Sequence, residues 1–109
     1  MASSNILTAA TAASSGHPQV TNGTSPLSFQ ATITGTGALT GTVVIEGTNE
    51  VALSTSNYLT IGTITLSGTT TASDGFVAAA VPWNVVRARI PAGGITGTSA
   101  TINVYMGYK

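Results

Sequence analysis

Seven side chains in this 109-residue sequence are Asp, Glu, His, Lys or Arg: His17, Glu46, Glu50, Asp74, Arg87, Arg89 and Lys109. Any acid–base or metal chemistry must start from them, because the chain has no cysteine. His17 stands beside Pro18 in a segment of small residues. With no clustered carboxylate or thiol it makes a weak metal site, and it is poorly placed to serve as base to any of the eleven serines. Glu46 and Glu50 flank "GTN", as a pair of glycosidase carboxylates would flank a bond. Two solvated carboxylates at a loop rim give the same spacing and are the commoner case. "GTGALTG" follows a strand-like run but leads into no helix, so it does not read as a phosphate loop. "NGT" at Asn22 matches a glycosylation sequon, which matters only in a secreted eukaryotic protein. The expectation is a protein that is not an enzyme, with no catalytic, cofactor-binding or metal residues and no cofactor.

Only 6% of residues are charged and the formal net charge is zero. Ordinary soluble proteins carry roughly 25%. A neutral chain has no electrostatic footprint for nucleic acid or an anionic membrane surface. Thr and Ser supply 31 residues and Gly 13. Such a surface suits either a stable neutral β-protein or one covered by neighbouring subunits, since charge depletion marks the centres of interfaces. No stretch approaches the ~20 apolar residues of a spanning helix, and "MASSNILTAATAASSG" lacks the basic start of a secretory signal.

The chain is long enough for one domain. Residues 1–26 form a low-complexity arm in which Ile6 and Leu7 are the large apolar residues before Val20. So little apolar content predicts a segment that does not pack on its own domain and instead contacts other subunits through Ile6 and Leu7. From Leu27 the pattern has period two. "LSFQATIT" puts Leu27, Phe29, Ala31 and Ile33 on one face, "GTGALTG" reads as a turn, and "TVVIEG" reads as a second strand. "LTIGTITLSG" alternates with a slip at Gly62, which predicts a β-bulge. "TTTASDG" reads as a turn, "FVAAAV" and "WNVVRARI" as strands parted by Pro82, and "PAGGITGTSA" as a loop before a last strand, "TINVYMGY". Short strands with Gly-rich turns and no helical periodicity predict an all-β fold, an antiparallel β-sandwich of jelly-roll type over residues 27–109. Its expected core includes Phe29, Ile33, Val43, Ile45, Ile61, Leu66, Val86, Ile90, Ile102 and Val104.

Two of the three cations fall two apart in "VPWNVVRARI". Val86, Ala88 and Ile90 take the core phase, which turns Arg87 and Arg89 outward. They suit two roles: charges that keep an apolar strand from pairing with strangers, or forks that clamp carboxylates on a partner. Trp83, next to Pro82 in an apolar run, reads as packing rather than as a sugar platform. Tyr58, Tyr105 and Tyr108 stay open as rings that could stack on a sugar.

Taken in order, "VVIEGTNE", "YLTIGTITLSG", "SDGF", "VPWNVVRARI" and "GTSATINVYMGY" resemble small β-sandwich proteins of tailed bacteriophage particles, particularly capsid decoration (cement) proteins. The resemblance covers residues 27–108. It implies a non-enzymatic subunit, commonly oligomeric, that binds the outer face of the major capsid protein lattice and stabilises it. It implies localisation on the virion after synthesis in the bacterial host cytoplasm, with the major capsid protein and copies of itself as partners. Ile6, Leu7, Arg87, Arg89, Tyr105 and Tyr108 are the expected contact residues. The competing expectation is a receptor- or glycan-binding module of a phage tail or fibre.

Overall fold

The computed structural model describes residues 2–16, 18–20, 27–50, 57–78 and 84–108. These residues form seven strands and no helix: β1 (Ala2–Ala10), β2 (Ser14–Ser15), β3 (Gln19–Val20), β4 (Leu27–Thr48), β5 (Leu59–Ala78), β6 (Val85–Ile90) and β7 (Ile95–Tyr108). All pairings are antiparallel, in one sheet that nearly closes into a barrel. The expected all-β antiparallel class is therefore correct.

The sheet is built around β4. One of its edges pairs with β5 from Leu27↔Ala78 to Gly47↔Leu59. Its other edge is shared, with β7 along residues 27–41 and β6 along residues 44–48. On the outer side, β1 pairs with β7, and β2 and β3 pair with β6.

Twenty-two residues of regular strand would span about 70 Å, yet the longest dimension of the molecule is 40 Å. The long strands must bend, and neighbouring strands bend at one level. The β4 register slips between Thr34 and Ala38, opposite Thr71 and Thr69 of β5 and opposite residues 96–101 of β7. Backbone of positive φ marks this corner: Gly37 at 79°, Thr70 at 64°, Gly97 at 137° and Ser99 at 53°. Gly37 meets that demand without a Cβ penalty, whereas Thr70 does so at a steric cost. "GTGALTG" and "TTTASDG" are thus not turns that reverse the chain but bends inside continuous strands. "ITGTSA" is likewise strand, not loop. Turns and bulged corners call on the same residues, which is why composition does not separate them.

Folding the sheet over itself brings the halves of one strand together. Phe76 reaches across the core to Gly62 in the same β5, and its ring stacks at a tilt on Phe29, with centroids 5.4 Å apart. The expected core residues are all buried except Ile61, which is partly buried against the core. Ile61 is also the extra residue of a bulge, since Ile45 faces Gly62 and Glu46 faces Thr60. The predicted irregularity is there, one residue from Gly62. A Cβ at position 62 would lie 2.7 Å from Phe76 Cζ. Gly62→Ala should cost about 1–3 kcal/mol by overpacking, less in a Phe76→Leu background. Urea unfolding of the double-mutant cycle checks this, and additive effects would contradict the contact.

The expectation that residues 1–26 do not pack on their own domain is corrected for residues 2–10, 14–15 and 19–20, which are strands of the sheet. Residues 2–10 are the strand β1, and Ile6 and Leu7 are 1% and 7% exposed, inside the core. Neighbouring residues of a regular strand face opposite ways. Both are buried here because the register slips between Asn5 and Leu7, and again between Leu7 and Ala10. Polar side chains stand in for the ladder at these slips: Asn5 Oδ1 accepts from Leu7 N–H, and Asn103 Oδ1 accepts from Ala9 N–H. Counting apolar residues missed this. The β7 edge supplies backbone partners, and the core leaves places that Ile6 and Leu7 fill.

Candidate functional site

Two outward surfaces of the sheet differ sharply in chemistry. On β5, β4 and β7, the residues that alternate with the buried Phe29, Ala31, Ile33, Ile102, Val104 and Met106 form aligned rows. Val77, Ser28 and Gly107 make the first row, Gly75, Gln30 and Tyr105 the second. Ser73, Thr32 and Asn103 make the third, Thr71, Thr34 and Thr101 the last. No member is charged. Hydroxyls and amides hydrogen-bond across the strands: Gln30 Nε2 donates to Ser73 Oγ at 3.0 Å, Thr32 and Ser73 hydroxyls are 3.0 Å apart, and Thr34 and Thr101 hydroxyls 3.1 Å. Val77, 70% exposed, and Tyr105, 39% exposed, stand up from this face.

The other half of β4 carries the ions. Glu46 lies directly opposite Arg87 and beside the Val44–Arg89 pair, so strand register alone puts all three side chains on one face. Arg87 Nε donates to Glu46 Oε1 and Arg89 Nε to Glu46 Oε2, each at 2.9 Å. The guanidinium carbon of Arg87 sits 3.8 Å from the centre of the Tyr58 ring, a stacking that fixes its plane. The Glu46 side chain is 8% exposed, that of Arg87 19% and that of Arg89 35%. Val44, Thr48 and Val85 around it are also buried, although they belong to the outward face. Among the described residues, the Tyr58 hydroxyl is buried without a hydrogen-bond partner.

The expected contact residues thus lie in different settings. Arg87 and Arg89 take the outward phase as anticipated, but the carboxylate they grip is Glu46 of their own chain. Glu46 is not a solvated loop-rim residue: it is buried within β4. Ile6 and Leu7 are core residues. Tyr105 is exposed on the charge-free face, and Tyr108 ends β7, opposite Leu27 and Ala2. His17, Pro82 and Trp83 lie outside the described residues. The Glu46 partnership was hidden in the sequence because it depends on cross-strand register. Its one visible sign is "VVIEG", an acid inside an apolar run.

Among the described residues no three His, Cys, Asp or Glu side chains come together. A groove of about 300 Å³ runs between β1 and β2, lined among the described residues by Asn5, Thr8, Ser14, Ser15 and others, with no aromatic ring among them. Compared with family models, curated proteins and solved structures, the chain matches none.

Proposed function

We propose that this chain is a non-enzymatic structural protein of a phage particle, a decoration protein that binds the outer surface of the capsid and stabilises it. The observation that carries this reading is the charge-free grid of β5, β4 and β7. A broad, charge-free sheet face with an exposed tyrosine and valine suits being covered by another protein surface. Half of the chain's few charged side chains are gathered into the Glu46 cluster, which leaves the rest of the surface still more neutral.

The order of pairing supports the finer reading of the fold as a jelly roll. If each long strand counts as two halves at its bend, the first segment (β1) pairs with the last (β7), and β2 and β3 pair with β6. The first half of β4 pairs with the second half of β5, and the remaining halves pair with each other. This nesting is that of a hairpin rolled up on itself, an architecture used in viral capsid domains and in lectins.

Lectins keep the second reading in play, a glycan-binding module of a tail or fibre, for which Tyr105 offers a stacking ring. Co-sedimentation with empty capsids, run beside a glycan array, separates the two. Capsid binding that Tyr105→Ala and Val77→Asp weaken, with a blank array, is the expected result. Saturable sugar binding without capsid binding would overturn the decoration reading.

A further inference from the structure

The Glu46 cluster is incompletely used. Glu46 engages each guanidinium through Nε alone, and among the described residues no other hydrogen bond or ion pair reaches Arg87 or Arg89. The two terminal amino groups of each arginine therefore remain as donors. The arginines are two residues apart on one strand, about 6.6 Å along it, and one carboxylate holds both, with Tyr58 fixing the plane of Arg87. One anion against two cations leaves a single positive charge in excess, and the exposure of Arg89 makes that excess reachable from solvent.

We propose that the terminal amino groups of Arg87 and Arg89, held in register by Glu46, form a binding site for one acidic side chain of a partner protein. Charge and shape favour a carboxylate. One planar monoanion balances the excess charge and matches the guanidinium fork. A phosphate dianion would overshoot it and stand against the Glu46 carboxylate. The ordering is already done in the free protein, so little side-chain freedom is lost on binding. The site lies on the half of the sheet that does not carry the charge-free grid, so it would add a second, directional contact to the proposed particle protein.

The test uses the full chain and needs no particle, so its outcome is independent of the capsid assignment. Arginine side-chain NMR signals are followed while acetate, phosphate or chloride is added at constant ionic strength. Acetate should give saturable shifts at both arginines, and Arg89→Lys should weaken its binding about tenfold, as expected for loss of a charge-assisted contact. In Glu46→Gln the uncompensated pair should turn to preferring phosphate. If that variant fails to fold, Arg89→Lys, at the exposed rim, carries the test alone. Three results would overturn the proposal: equal response to acetate and chloride, tighter binding of phosphate than of acetate by the parent protein, or acetate binding undiminished in Arg89→Lys.

Discussion

Deleting residues 2–10 is expected to abolish the cooperative unfolding transition of this domain. The deletion removes Ile6 and Leu7 from the core and strips β7 of its outer partner. A single Ile6→Ala substitution, at a side chain 1% exposed, should by itself cost about 2–4 kcal/mol. A domain stands on roughly 5–15 kcal/mol in all, so losing the whole strand exceeds what it can absorb. Thr8→Ala, at an exposed position of the same strand, should change stability by less than about 0.5 kcal/mol. Urea unfolding of the three variants checks this. A deletion that melts like the parent would mean that residues 2–10 do stand apart from the domain.

The second large effect is expected at Glu46. Replacing it with Ala leaves two guanidiniums facing each other across a mostly buried site. Breaking a buried ion cluster by removing one partner costs about 3–5 kcal/mol. Because Arg89 is a third exposed and can turn to water, about 2–4 kcal/mol is the expected loss here. Replacing Glu46, Arg87 and Arg89 together with Met should recover most of it, since an apolar patch of similar volume needs no charge compensation. Glu46→Ala within about 0.5 kcal/mol of the parent would show the cluster to be energetically idle. A triple variant as unstable as the single one would show that the loss is one of shape.

These two expectations mark where the sequence could and could not be read. The inward phases of "LSFQATIT", "WNVVRARI" and "TINVYMGY" were legible because period two survives wherever one face of a sheet is buried. The slip at Gly62 was legible because a change of phase leaves no other explanation in a strand. The corner through Gly37, Thr70 and Ser99 was not, because a bend and a reversal use the same small and hydroxyl residues. Ile6 and Leu7 are not legible as core residues, because the small-residue composition of residues 1–26 points away from packing and the register slip that buries both leaves no mark in the sequence. The Glu46 cluster needed register, which links residues more than 40 positions apart.

The same register explains how so few charges suffice. An acid on the central strand, opposite one arginine and diagonal to another, gathers three of the six Asp, Glu, Lys and Arg side chains into one cluster. The charge-free grid is then free to present only hydroxyls, amides, Val77 and Tyr105. On this account, apolar and hydroxyl contacts supply affinity for the particle, and the residual guanidinium donors supply direction.

The most direct test is a binding titration of empty capsids with the purified chain, read as bound copies per particle. A capsid decoration protein predicts saturation at a fixed ratio to the major capsid protein, with Tyr105→Ala lowering affinity but not the saturating number. Saturation at a handful of copies, as at a tail, or no binding to capsids at all, would contradict it.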